Sequence, residues 1–184
     1  MNITDARVIG TRKAIRESFL KLLQNKPVSR ITVKEICEMS RINRSTFYKH
    51  YRDSLDVLEK MEEEILDKLA VSLQPALPRM DDYLDMALTE MSIQGDLYLI
   101  LASEHGDPDF PAKIFRRCYQ TVFPRFQRKF PDLTAAQREL VYQYLAKGSG
   151  GILFGWIRGG MQESKETVID LLLRLNEGAV SVLE

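Results

Sequence analysis

Histidine, cysteine and tryptophan are scarce in this chain: 184 residues carry two, two and one of them. Cys37 and Cys118 lie far apart with no histidine clustered near them, which excludes a disulfide framework and a zinc site and leaves both as small packing residues. There is no G-x-S-x-G, no phosphate-binding G-x-x-x-x-G-K and no H-E-x-x-H, so the usual catalytic constellations are missing and no metal or cofactor is expected. No apolar run is long enough for a bilayer, since the longest, Ile152 to Ile157, is far too short, and the start MNITDARVIGTRK lacks a signal peptide's apolar region. The expected setting is cytoplasmic, with no membrane partner. Period-two patterns, internal repeats and low-complexity stretches are also absent, and every long segment reads as helix.

Net charge is formally zero, but its distribution is not even. From Met1 to Arg52 there are 12 Lys+Arg against 4 Asp+Glu, or +8; from Asp53 to Glu184 there are 14 against 22, or −8. A basic first part followed by an acidic remainder is the footprint of a region that meets nucleic acid and one that is repelled by it.

The sequence ITVKEICEMSRINRSTFYKHYR, residues 31 to 52, carries the most information. Thr32 and Glu35 form a T-x-x-E capping box and Ile31 with Ile36 a hydrophobic staple, which starts a helix at Val33. Val33, Ile36 and Cys37 share one face of it, and it stops near Ser40. After the turn at Ser40, Arg41 and Ile42, Asn43 is a suitable N-cap for a second helix reaching about His50, anchored by Phe47 and Tyr51. The remaining positions, Arg44, Ser45, Thr46, Tyr48, Lys49 and His50, are types that bond base edges and phosphates. An ordinary helical hairpin with a solvated basic face is the alternative reading.

TVKEICEMSRINRSTFYKHY resembles the DNA-binding domain of the tetracycline-repressor (TetR) family of bacterial one-component regulators. The resemblance extends back through a first helix, about Thr4 to Gln24, with Val8, Ile15, Phe19, Leu22 and Leu23 as its apolar stripe and Arg7, Arg12, Lys13 and Arg16 outward. It implies base contacts from Arg44, Ser45 and Thr46 behind the cap Asn43, and phosphate contacts from Tyr48, Lys49 and His50, with Thr32 and Lys34 added. Two positions depart from the family pattern: Arg41 stands where a glycine is usual in the turn, and Ser54, behind an N-capping Asp53, where a phosphate-binding lysine is common.

The expected organisation is a DNA-binding helix-turn-helix domain at 1–52, a connecting helix at 53–73 and a regulatory and dimerisation domain at 74–184, all helical with about nine helices. Leu55, Leu58, Ile65, Leu69 and Leu73 mark the connecting helix's buried side, and Glu62, Glu63 and Glu64 read as a solvated face. Later helices are expected at 80–94, 95–104, 111–129, 134–158 and 164–183, with Pro124 kinking or breaking its own. Gly148, Gly151, Gly155 and Gly159 make a bare stripe at helical spacing, or else a loop from Gly148 to Gly151. This region resembles the C-terminal part of one TetR subgroup, which implies a two-fold interface using Gly151, Leu153, Gly155, Trp156, Ile157, Val168, Leu171, Leu172 and Leu175.

The function implied is a homodimeric regulator, a repressor in the first instance, on a palindromic double-stranded operator, modulated by a small-molecule or protein effector. An effector cavity is expected near Tyr83, Met86, Tyr98, Phe115, Tyr119, Phe123 and Tyr144, although aromatics and methionines at helical spacing are usually core. His105, in the loop SEHGDPDF, reads as a solvated loop residue rather than as a cap or a gate. The rival function is a protein-interaction adaptor on the same scaffold.

Overall fold

The computed structural model describes residues 3–72, 89 and 93–183, with side chains from residue 6 onward except that of Ser72. Eight α-helices and no strand occur among the described residues. They are α1 (Ile3–Leu23), α2 (Val33–Ser40), α3 (Arg44–Tyr48), α4 (Ser54–Ser72), α5 (Gly95–Leu101), α6 (Phe110–Lys129), α7 (Ala135–Arg158) and α8 (Lys165–Ser181), with a 3-10 turn at Val28–Arg30. The chain forms two compact units, Met1–Ile65 with Ile100–Phe110, and Leu66–Leu99 with Pro111–Glu184. Leu73 and most of the helix expected at 80–94 lie outside the described residues.

In the first unit Ile15, Phe19 and Leu23 recur at four-residue intervals on α1 and are wholly buried with Ile36, Phe47 and Val57. Several face assignments need correction. Val8 and Leu55 are exposed: each lies in the first turns of its helix, ahead of the apolar residues that α1 and α4 bury, Ile15 and Val57 onward. Arg16 turns inward: its Nε donates to the Tyr51 hydroxyl at 3.0 Å and its Nη1 to Glu64 Oε2 at 2.7 Å, tying α1 to α4. The bond to Glu64 raises its pKa against the opposing effect of burial. Glu62 is buried rather than solvated, and α4 packs through Val57, Leu58, Met61, Ile65 and Leu66.

The capping box of α2 forms as expected, with Glu35 N donating to Thr32 Oγ1 at 3.3 Å and Thr32 N to Glu35 Oε2 at 3.0 Å. Lys26 also pairs with Glu35, and this hydrogen bond, followed by those from Thr32, pulls the carboxyl from 4.5 to about 2. A depressed carboxylate contributes stability that is present above its unfolded value and lost as pH falls through the folded one. Thr32→Ala is expected to lower stability by about 1 kcal/mol, and Glu35→Gln to flatten acid unfolding between pH 4.5 and about 2. Denaturant melts across that pH range test both.

In the second unit α6 runs through Pro124 as one helix, so of the expected kink or break the break does not occur. The capping box of Thr134 and Gln137 opens α7, which continues as helix through Gly148 and Gly151, excluding the loop alternative. α7 turns at Gly160 (φ 79°) and Met161 (φ 52°) into α8, whose N-cap Ser164 accepts from Thr167 N at 3.2 Å. Val168 and Leu172 of α8 are buried against Ile152, Leu153 and Trp156 of α7. Asn176 Nδ2 donates to Ser149 Oγ at 3.2 Å across the same hairpin.

Candidate nucleic-acid interface

The geometry of the α2–α3 pair depends on Arg41, which adopts the left-handed conformation (φ 55°, ψ 40°) that glycine would take without a Cβ penalty. Ile42 N then donates to Cys37 O at 3.1 Å, and Asn43 turns extended to open α3. Asn43 occupies the N-cap, but its side chain makes no capping hydrogen bond; its carbonyl accepts from Thr46 N and Phe47 N. α3 ends at Tyr48, two residues before the expected end, because Lys49 and His50 tighten into a turn closed by His50 N on Phe47 O at 2.9 Å.

Phe47 anchors this short helix, fully buried and in ring contact with Tyr51 at 5.8 Å. Burying that side turns the other outward: Arg44, Ser45, Tyr48 and Lys49 are exposed, with Thr46 and His50 half-buried. Thr32 is exposed, but its hydroxyl already bonds Glu35 Oε2 at 2.8 Å, and the exposed Lys34 amine lies 3.8 Å from Glu38. Ser54 donates to Val28 O at 3.4 Å, so its hydroxyl is engaged inside the protein.

Sequence reasoning missed the support behind α3. Asp56 is buried at the start of α4 and accepts from Arg52 N at 2.9 Å, Arg52 Nε at 3.2 Å and Lys60 Nζ at 2.9 Å. Burial pushes its pKa up, yet the bonds from Arg52 and Lys60 outweigh that and hold it low. Lys60 also donates to His50 O at 2.9 Å and sits over the Tyr51 ring, fixing the exit from α3. The four-residue spacings 52, 56 and 60 were the available signal. Burial, and then the cations Arg12, Lys49 and Lys60, lower the His50 pKa, a sign of concentrated positive potential.

The expected effector residues divide. Tyr83 and Met86 lie outside the described residues, and Tyr98 is buried. Phe115, Tyr119 and Phe123 stack along α6 around Tyr142 of α7, at ring distances of 6.2, 5.2 and 5.2 Å. Tyr144 is exposed and outside this cluster, since a two-residue step on α7 turns it away from Tyr142.

The expected interface residues divide too. Val168 and Leu172 are buried inside the α7–α8 hairpin with Leu153 and Trp156 packed against them, and Ile157 is buried beside Gly95, so their apolar area is largely spent within one chain. Gly151, Gly155, Leu171 and Leu175 are exposed. They are joined by Gly148, already part of the expected bare stripe, and by Leu140 and Tyr144 on α7 and Val182 just past α8, which sequence reasoning did not assign to this surface. A Cβ at Gly148, Gly151 or Gly155 would meet nothing within 4 Å, so nothing among the described residues covers this part of the stripe.

Among the described residues no group of three or more His, Cys, Asp or Glu could hold a metal ion, and no helix is long and apolar enough to cross a membrane.

Residues 80–178 match the model of a family described as "Transcriptional regulator C-terminal region". The chain is 24% identical over 162 residues to the uncharacterized HTH-type transcriptional regulator YxbF of Bacillus subtilis, and it spans 41% of that protein's length. Among solved structures it is similar to a TetR transcriptional regulator from Streptococcus agalactiae, at 23% identity and a TM-score of 0.68, covering 95% of this chain and 97% of that one. It is also similar to the dihydroxyacetone kinase operon activator DhaS, at 18% identity and a TM-score of 0.65 over 95% and 98%. A third is the fatty acid degradation regulator FadR from Bacillus halodurans, at 11% identity and 0.62 over 90% and 94%. At these identities the structural likeness establishes the fold.

Proposed function

This chain belongs to the TetR family of transcriptional regulators, and we propose on that footing that it is a homodimeric, sequence-specific DNA-binding repressor acting in the cytoplasm on a palindromic operator. The observation that carries the reading is α3: its one buried anchor, Phe47, leaves Arg44, Ser45 and Lys49 exposed beside Tyr48, within a part of the chain bearing +8. Arg44, Ser45 and Thr46 read bases from behind Asn43; Tyr48, Lys49 and His50 hold phosphates. Lys34 contributes through charge, and Thr32 supports the site chiefly as the cap of α2.

One α3 spans only a few base pairs, so specificity requires two, about 34 Å apart in successive major grooves. The proposed pairing surface is the exposed face of Leu140, Tyr144, Gly148, Gly151, Gly155, Leu171 and Leu175. The open glycine stripe lets another backbone approach closely. A small-molecule or protein effector beside Tyr98 or the aromatic cluster of Phe115, Tyr119 and Phe123 would favour the wrong reader spacing. By linkage it would weaken DNA binding by its own preference between the two states, commonly about 1–3 kcal/mol.

Selection of genomic fragments by the full chain at physiological salt tests this, with recovery of a short palindrome expected. A folded dimer that enriches nothing would favour the adaptor reading. His50 supplies a further prediction. Its lowered pKa leaves it neutral near pH 7, and a phosphate beside it would draw the pKa up. Operator affinity should therefore rise as pH falls from 7 towards 6, and His50→Gln should remove that slope; binding isotherms at several pH values decide it.

A further inference from the structure

Among the described residues two non-glycine residues have positive φ, Arg41 at 55° and Met161 at 52°. In this conformation the Cβ crowds the following carbonyl oxygen, and such strain persists where something else offsets it. For Met161 the offset lies within the chain. It is half-buried, and a Cβ on Gly95 would meet its Cε at 3.1 Å, so its side chain packs on the start of α5. Arg41 has no such return. It is exposed, and its guanidinium makes no hydrogen bond or ion pair among the described residues. Its backbone N donates to the Cys37 and Glu38 carbonyls, bonds that a glycine would make equally well.

The neighbouring cations show what is unusual about this side chain. Residues 31–52 hold five, Lys34, Arg41, Arg44, Lys49 and Arg52. Lys34 faces Glu38 at 3.8 Å, and Arg52 is held by Asp56 at 3.1 Å and Glu59 at 3.5 Å. Arg41, Arg44 and Lys49 are exposed and have no acidic partner among the described residues. Arg44 opens α3 and Lys49 follows its end, while Arg41 stands three residues ahead of Arg44 with only the turn between them. Unpaired cations held along one short stretch repel each other, and a row of anionic groups laid against them would offset that repulsion. A guanidinium suits a phosphate in such a row, since it stays charged and its rigid fork of donors bonds two oxygens at once.

We infer that Arg41 is a further DNA-contacting residue, its guanidinium binding an operator phosphate beside α3, and that this contact offsets the strain of the turn. The inference deepens the DNA-binding reading above and rests on it. Arg41→Gly, Arg41→Asn and Arg41→Lys in the full chain, with a duplex retained from genomic fragments, set stability against binding. Arg41→Gly relieves the strain, so the chain should melt about 4 °C higher. Its affinity should nonetheless fall about 30-fold at 0.15 M salt for every duplex, and the log-log salt slope should flatten by about 2, one contact from each reader of a dimer. Arg41→Asn, which tolerates the left-handed backbone without a charge, should flatten the slope equally. Arg41→Lys should keep the parent's slope. If Arg41 served the fold alone, the glycine variant would bind as the parent does. That result, or a loss of affinity with the slope unchanged, overturns the Arg41 contact and leaves the reading of α3 in place. A parent that retains no duplex, or whose slope is near zero, overturns the DNA-binding reading and the Arg41 contact with it.

Discussion

Phe47→Ala is expected to unfold the first unit while leaving the second intact. The ring is fully buried and holds α3 through contacts to Tyr51 and Tyr48, and truncating such a phenylalanine costs about 3–5 kcal/mol. That is a large share of the 5–15 kcal/mol typical of a whole domain. The first unit should therefore melt far below its normal temperature, and operator binding should be lost with it. Trp156, the single tryptophan, lies in the α7–α8 hairpin and reports separately on the second unit. Its emission should melt as in the parent. Tyr48→Ala, at an exposed position, is the control, with a stability change within about 0.5 kcal/mol. A Phe47→Ala chain that melts within a degree or two of the parent would mean that α3 is held by something other than this ring.

The second large effect concerns pairing. Leu171 and Leu175 are exposed, whereas Leu172 between them is 1% exposed. Changing Leu171 and Leu175 together to glutamate should leave each chain folded but prevent pairing, because two charges per chain would have to be desolvated in an apolar contact. Light scattering should report a monomer. Operator affinity should fall by about 10²–10⁴, the factor lost when two linked contacts become one. Leu172→Glu should instead unfold the hairpin. Gly151→Leu separates the two roles most cleanly. A Cβ there meets open space in the single chain, so the helix should gain close to 1 kcal/mol, while the added side chain obstructs a partner. A dimer of undiminished affinity in both variants would remove the proposed surface.

These expectations also mark where the sequence was legible. The reader could be written down because its signals are local: the Thr32–Glu35 box and the apolar spacing of Ile15, Phe19 and Leu23 each act within a turn or two of chain. Residues at the margin of a helix face were harder. Arg16, Leu55 and Glu62 take their burial from what a distant element brings to them, as Glu64 and Tyr51 do for Arg16. Tyr142 and Tyr144 differ only in helical phase, and nothing in composition says which of the two faces α6. Interface and core were merged for a related reason, since Leu171 and Leu172 are the same residue type one helical step apart, one exposed and the other buried. His105 is half-buried rather than solvated, its Nδ1 3.0 Å from the Leu23 carbonyl across 82 residues of chain, beyond the reach of any spacing rule.

The measurement that tests the central claim most directly is the salt dependence of affinity for a selected duplex, compared among the parent, Lys49→Ala and Thr46→Ala. A dimer making about 6–8 phosphate contacts should give a log-log slope of about −5 to −7. Lys49→Ala should flatten that slope by about 2 and weaken all sequences alike, whereas Thr46→Ala should keep the slope and change the preferred sequence. A parent slope near zero, or both variants binding every duplex as the parent does, would contradict the assignment of α3 as the reader of DNA.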